Sequence, residues 1–457
     1  MALLGLFATV VALLAIVLGV VDRDRRYQAL LADGDRALSS GNAFSAVEAY
    51  SGAIALRPDS MAAHLRRGQA YRAEKREDEA KRDWHDAVRL APRSTQPLEL
   101  LGDLLSAEGE DAEAATFYER AVRLDASDPA RLYKLGLARY RAGLPATAVE
   151  PLQSAVALND NFAEAHYLLG LVLRDVQRTT DAVASLERAV RVAPSLLVAH
   201  EELADLYRAL GRPVDELAQL QTLSSLDTSL PREVAIGLAQ SRRGEFDGAI
   251  ATLSSAAERD PLDSQVQLAL GRVHLEKAER TMDRRSVAQA LDALERALSG
   301  TARRSDGLTL LGRALYLSGD DAAAERLLRE AVSTSPLIAE AFGYLADACE
   351  RQREFEAARD ALEKLDALQG DTAPPAVRSA RARRLGVLSL EAGEPTVAVD
   401  FLEQAINAGD PDVALLGALS EAQFRSGSVD AAKATLARAL AIQPKNPELL
   451  KLKRLVR

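Results

Sequence analysis

The sequence predicts an all-α protein: one apolar helix followed by a superhelical solenoid of about twelve helix-turn-helix units. Three observations predict it. Glycine recurs in steps of 34 residues, at Gly34, Gly68, Gly102, Gly136 and Gly170, and a fixed period of this size marks stacked helical hairpins. Aromatic residues make up only 4% of the chain, so its helices are expected to pack closely on Ala and Leu rather than around large rings. Residues 2–21, ALLGLFATVVALLAIVLGVV, hold neither charge nor proline, and twenty such residues are what a helix needs to cross about 30 Å of hydrocarbon.

The first element, residues 1–22, is read as a transmembrane helix. A secretory leader carries Lys or Arg ahead of its apolar core, and here only Met1 precedes it. Arg23, Arg25 and Arg26 all follow the apolar run, which places the body of the protein in the cytoplasm by the positive-inside bias. The alternative is a cleaved leader, cut at Val17-Leu18-Gly19, with a periplasmic body.

The repeats begin at residue 27. A small residue follows each glycine by twelve positions (Ala46, Ala80, Ala114, Ala148, Ala182) and by nineteen (Ala53, Ala87, Ala121, Ala155, Ala189), with Tyr50, Trp84, Tyr118 or leucine between. Proline closes many units, at Pro58, Pro92, Pro194, Pro261, Pro336 and Pro444, and after small shifts of frame the glycine returns at Gly237, Gly271, Gly312 and Gly386. This pattern resembles the tetratricopeptide repeat, with a large residue at position 4, Leu-Gly at 7 and 8, Tyr at 11, Ala at 20, an aromatic at 24, Ala at 27 and Pro at 32. The resemblance implies antiparallel helix pairs in which Gly at 8 and Ala at 20 and 27 let the backbones approach. The roughly 1 kcal/mol that glycine costs inside a helix is then offset by contacts that a larger side chain would prevent.

Five regular units are expected over 27–196, three irregular ones over 197–304 and two over 305–372. A proline-containing linker at 373–378, two further units over 379–446 and a capping helix at 447–457 complete the chain. In the irregular block, Glu216 and Leu223 stand where small residues belong, and about seven extra residues surround EKAERTMDRRS. The prolines of TAPPAV exclude one continuous helix through 373–378.

Sites for chemistry are sparse. A net charge of −10 argues against nucleic acid as a partner. Cys349 stands alone, so neither an internal disulfide nor a cysteine zinc site can form. His64, His166 and His200 all fall at position 4, a packing slot, and equivalent atoms of adjacent units lie roughly 20 Å apart, too far to share a metal. No GxxxxGK[ST], HExxH or GxSxG motif occurs, and no enzyme activity, cofactor, metal or small-molecule substrate is expected. RSARARR at 378–384 is either a contact for an acidic partner or anionic lipid, or a solvated helix face.

Within the family, the Lys and Asn clamp of chaperone-binding members is absent, as is the asparagine ladder of sugar-transferase arrays. The layout of anchor and repeats is similar to that of bacterial regulators of lipopolysaccharide assembly, but their rubredoxin-like module needs paired CxxC motifs that one cysteine cannot supply. That resemblance covers anchor and repeats and transfers no function. One remaining reading is a scaffold or adaptor, tethered to the inner membrane through residues 2–21, that binds proteins or peptides. The alternative is a periplasmic assembly factor for envelope or polysaccharide-export machinery.

In this family positions 2, 5, 9 and 12 line the concave surface. In the fourth and fifth units they supply Ala130 and Glu164 and an apolar, aromatic strip of Tyr133, Leu137, Tyr140, Tyr167, Leu171 and Arg174. Glu99 and Asp103 border it on one side, Glu201 and Asp205 on the other. The expected ligand is an extended or helical peptide with apolar anchors flanked by Lys or Arg. The competing reading has Tyr140 replacing the packed tyrosine of position 11, which is Arg139 here, while Tyr133 and Tyr167 pack on adjoining units.

Overall fold

The computed structural model describes residues 2–226, 228–299, 304–369, 373–409 and 411–456; the side chains of 2–12, 14–16 and 304 lie outside the described residues. The described residues form twenty-five α-helices and no strand. The chain divides into two compact units, 1–210 and 211–457, and the division falls inside the irregular repeat 197–229. The first unit holds α1 (Ala2–Ser39), α2 (Ala43–Leu56), α3 (Met61–Ala73), α4 (Glu77–Leu90), α5 (Gln96–Ala107), α6 (Asp111–Leu124), α7 (Pro129–Arg141), α8 (Pro145–Leu158), α9 (Ala163–Asp175), α10 (Thr179–Val192) and α11 (Leu197–Ala209). The second holds α12 (Pro213–Leu226), α13 (Leu230–Arg242), α14 (Phe246–Arg259), α15 (Ser264–Thr281), α16 (Arg284–Leu298), α17 (Arg304–Ser318), α18 (Asp321–Ser333), α19 (Ala339–Arg351), α20 (Phe355–Gln369), α21 (Pro375–Glu391), α22 (Pro395–Asn407), α23 (Val413–Arg425), α24 (Val429–Ile442) and α25 (Pro447–Leu455).

Local signals set the hairpins. The odd-numbered helix of a pair stops at a left-handed residue, Gly143 (φ 75°) after α7 for example, and the Leu144 amide then donates to the Arg139 carbonyl at 2.9 Å, closing the helix end. The next helix packs back. A Cβ placed on Gly136 would lie 2.5 Å from Leu152 Cγ, and one on Gly102 would lie 2.7 Å from Tyr118 Cε1. Position 8 must therefore stay small while position 24 stays large. The same seat recurs at Gly312 against Leu328 and Gly386 against Leu402, each at 2.5 Å.

The irregularities have local causes. Gly271 meets Leu294, 23 residues on, where Gly136 meets Leu152 after 16. The difference is taken up by α15, which runs for 18 residues and ends at the left-handed Met282 (φ 57°). Glu216 stands at 0% exposure, and its carboxylate pairs with Arg242 of α13 at 2.5 Å, which compensates the buried charge. α21 begins at Pro375, so the second half of the stretch expected as linker is already helical. α25 buries Leu449, Leu452 and Val456 against Leu416 and Leu436.

The transmembrane helix expected over 2–21 is not supported: among the described residues, no helix is long and apolar enough to cross a membrane. Most side chains of that segment lie outside the described residues. Its backbone is helical and runs into the first repeat without a break, because α1 extends from Ala2 to Ser39. Asp22 and Arg26 pair at 2.7 Å along that helix, and no glycine or proline between Val20 and Asp33 would stop it.

Candidate functional site: the face of α7 and α9

Asp128 caps α7 by accepting from the Ala130 amide at 2.9 Å, and Pro129 fits the first helical position. From that start, Tyr133, Leu137 and Tyr140 project from one face of α7, and Tyr167, Leu171 and Arg174 from the corresponding face of α9. All six are half-buried. Tyr133, Leu137, Tyr140 and Tyr167 pack on a buried cluster that includes Leu168, Val172 and Leu203. The Tyr133 ring lies 5.0 Å from that of Phe162, tilted by 46°. The Tyr140 hydroxyl donates to Asp175 Oδ2 at 2.9 Å. Arg174 pairs with Asp175 at 3.0 Å and with Glu202. Burial pushes the phenols of Tyr133, Tyr140 and Tyr167 above their ordinary range, so they stay neutral hydroxyls near neutral pH.

Tyr140 does not take over the slot of position 11. Arg139 fills that slot itself, held by Glu119 at 3.3 Å and by the Thr147 carbonyl at 2.8 Å. Tyr133, in contrast, packs partly on the adjoining unit, through the cluster that includes Leu168 and Val172.

The acidic border is one-sided. Glu99 is neutralised by Arg131 at 2.7 Å, and Asp103 by Lys134 at 2.6 Å while also accepting from the Tyr118 hydroxyl at 2.7 Å. These bases sit 31 and 32 residues beyond their acids, on the next odd-numbered helix, where a reading of positions 5 and 9 alone does not count them. On the other side, Glu164 and Glu201 are exposed, and Asp205 pairs with Arg208 at 3.0 Å yet keeps 66% of its side chain in solvent.

A second aromatic cluster, absent from the sequence reading, lies in the second unit. The rings of Tyr316 and Tyr344 are 5.8 Å apart. Arg351 covers Tyr316 at 3.6 Å and Arg313 covers Tyr344 at 5.4 Å. Arg313 also pairs with Glu279 and, at 2.9 Å, with Glu340. Tyr316 stands at position 12 and was legible; Tyr344 stands at position 6, outside the set expected to face a ligand. The arginines of RSARARR are engaged within the chain: Arg381 with Asp366 and Arg383 with Asp412, each at 2.7 Å, and Arg384 with Asp347 and Glu350, each at 2.6 Å. They tie helices together.

The recurring histidines hold turns. His64, His166 and His200 are buried, and the Nε2 of each lies 3.0–3.2 Å from the carbonyl oxygen six residues earlier, on Pro58, Asp160 and Pro194. Gln267 donates to Pro261 in the same way at 3.1 Å. His64, Asp83 and Asp86 lie close enough to surround a cation, but Arg67 already holds both oxygens of Asp83 at 2.7 Å.

The tetratricopeptide repeat model matches residues 31–94, 78–129, 171–223, 234–280, 275–336 and 310–372, and a second model of that repeat matches 389–456. The model of subunit 3 of the anaphase-promoting complex, or cyclosome, matches 108–189. No curated protein matches the chain. Among solved structures, the Cut9–Hcn1 hetero-tetramer of the anaphase-promoting complex is 13% identical, covers 94% of this chain and 96% of its own, and has a TM-score of 0.39. YrrB, described as a repeat protein with an unusual peptide-binding site, is 19% identical, covers 41% of this chain and 96% of its own, and scores 0.38. PilF of Pseudomonas aeruginosa is 19% identical, covers 48% of this chain and 99% of its own, and scores 0.37. Likeness at this level carries no argument about partners. The resemblance to regulators of lipopolysaccharide assembly is not supported by these matches.

Proposed function

We propose, on the premise that the chain belongs to the tetratricopeptide repeat family, that it is a non-enzymatic, membrane-tethered scaffold binding a partner segment on the face of α7 and α9. Arrays of this family typically mediate protein–protein interactions. The observation that carries the proposal is the half-burial of six neighbouring side chains, from Tyr133 to Arg174, four of which, Tyr133, Leu137, Tyr140 and Tyr167, pack on one buried cluster. Such side chains lose little freedom when a partner covers them, and Tyr and Arg often dominate the affinity of a recognition surface. With Glu99 and Asp103 neutralised, the ligand is an apolar-anchored segment whose Lys or Arg lies toward α9 and α11, near Glu164 and Asp205.

The tether is proposed from residues 2–21. Within that run Leu13, Val17, Leu18 and Val20 are each more than half exposed, which favours a hydrocarbon environment. A displayed peptide library selected on the full chain in detergent tests the binding face. Enriched peptides are expected to share one or two large apolar residues with a basic residue on one side only, and to bind Y167A/L171A at least about tenfold more weakly at unchanged circular dichroism. Equal binding to the variant would remove the strip from consideration.

A further inference from the structure

We infer that the cavity where α1 meets the turn between α2 and α3 holds a lipid headgroup bearing both a phosphate and a primary ammonium, the phosphoethanolamine type. The inference rests on the membrane reading of residues 2–21 given above. The cavity, about 380 Å³, is lined by Arg23 and Tyr27 of α1 and by residues 56–60, including Arg57, Asp59 and Ser60.

Its walls are fixed. Tyr27 is buried at 5% exposure, its hydroxyl lies 2.5 Å from Ser60 Oγ, and the Arg57 guanidinium stacks 4.6 Å over its ring. Arg23 projects from the same face of α1 one turn earlier. The charges then divide into two kinds. Arg57 is engaged by Asp24. Arg23 and Asp59 are both exposed, line the same cavity, and have no ion-pair or hydrogen-bonding side-chain partner among the described residues. One unpaired cation and one unpaired carboxylate face a common space. A phosphate beside Arg23 and an ammonium beside Asp59 satisfy both. A purely anionic headgroup leaves Asp59 opposed to like charge, and a choline headgroup has no N–H to donate to it.

Depth agrees. The apolar run ends at Val21, so along the helix axis Arg23 lies about 3 Å further and Tyr27 about 9 Å further. This puts the Arg23 side of the cavity within the roughly 5–7 Å headgroup layer and the Tyr27 side at its outer edge. Because α1 is unbroken from Ala2 to Ser39, the cavity is held at that depth by helix rather than by a linker.

The test places the full chain in phosphatidylcholine vesicles, alone or mixed with phosphatidylethanolamine or with phosphatidylglycerol, and counts lipids retained per chain by native mass spectrometry after extraction. Phosphatidylethanolamine is expected to be retained about tenfold over the other two, and Arg23→Gln or Asp59→Asn to reduce it to the phosphatidylcholine level at unchanged circular dichroism. Incorporation into all vesicles with equal retention overturns the headgroup site and leaves the tether standing, as does preference for phosphatidylglycerol. Failure to incorporate into any vesicle overturns the tether, and the site with it. Complete displacement by millimolar soluble phosphoethanolamine would assign the cavity to a free metabolite and also overturn the lipid site.

Discussion

Tyr140 and Tyr316 occupy the same position of their repeats, four residues after Gly136 and Gly312, and meet opposite surroundings. Tyr140 bonds Asp175 through its hydroxyl at 2.9 Å and packs with Tyr133, Leu137 and Tyr167 on one buried cluster, where no guanidinium covers a ring among the described residues. Tyr316 carries Arg351 at 3.6 Å on its ring and Tyr344 beside it, and Tyr344 in turn carries Arg313. Two tyrosines at one repeat position thus serve different ends. Where α17 and α19 each lay an arginine on the other's tyrosine, Arg313 over Tyr344 and Arg351 over Tyr316, the aromatic surface is consumed in holding the array together; where α9 supplies Leu171 and Tyr167, no such cover is laid among the described residues. Stacked cations contribute from about 0.5 kcal/mol when exposed to about 2 kcal/mol when desolvated, so the cluster in the second unit is a stabilising feature, whereas the strip in the first is the surface proposed above for recognition.

The largest effect expected on this contrast comes from Arg313→Met. With only 12% of its side chain exposed, Arg313 on removal takes away its stacking on Tyr344, about 2 kcal/mol when desolvated. Removal also takes away the pairing of Glu279 and Glu340, which stay 32% and 48% exposed and add about 1 kcal/mol, so a cost of about 3 kcal/mol is expected. Urea unfolding should show the loss while affinity for a selected peptide stays the same. A joint loss of binding would blur the two roles. Next come Gly136→Ala and Gly312→Ala. Each added Cβ would lie 2.5 Å from a leucine Cγ, and each is expected to cost about 2 kcal/mol, the seat being alike beneath the strip and beneath the cluster. Hydrogen exchange in α7–α8 and α17–α18 checks the equality. Leu171→Ala alone is expected to weaken peptide binding about tenfold, or roughly 1.4 kcal/mol, with a melting temperature close to the parent's.

The smallest effect is one of pH, in the repeat formed by α3 and α4. The hydrogen bond to Asp83 holds the His64 imidazole above its usual 6.5, outweighing burial. The stability it contributes is complete below about 6.5 and is lost as pH rises through the raised value. For Asp83, burial works upward, but Arg67 and His64 together hold its carboxyl below the usual 3.8. That contribution is present above about 3.8 and fades as pH falls through the lowered value. Protection factors in α3 and α4, taken relative to the base-catalysed intrinsic exchange rate, should therefore fall from mildly acid to alkaline pH, and His64→Gln should flatten the slope. An unchanged slope in the variant would assign the dependence elsewhere.

The hairpins were legible because their determinants are close in sequence. Gly136 and Leu152 are 16 residues apart, and the spacing alone states that one is small where the other is large. The pairings that decide the character of a face lie 27 to 35 residues apart and depend on which residue of the next helix turns toward the gap. Positions 5 and 9 present Glu99 and Asp103 as an acidic border, because the Arg131 and Lys134 that neutralise them stand at positions 3 and 6. Tyr344 escaped for the same reason. The apolar segment also joins the first repeat in one helix, since composition changes after Val21 while no glycine or proline in DRDRRYQALL interrupts the backbone hydrogen bonds.

The direct test of the contrast between strip and cluster is site-specific photocrosslinking, with a photoreactive phenylalanine analogue replacing Leu171 in one preparation of the full chain and Tyr344 in another. Both are exposed to the same labelled, library-selected peptide. Crosslinking from position 171 that unlabelled peptide competes away, with none from position 344, is the predicted result; crosslinking from 344 and not from 171 would contradict the division of roles.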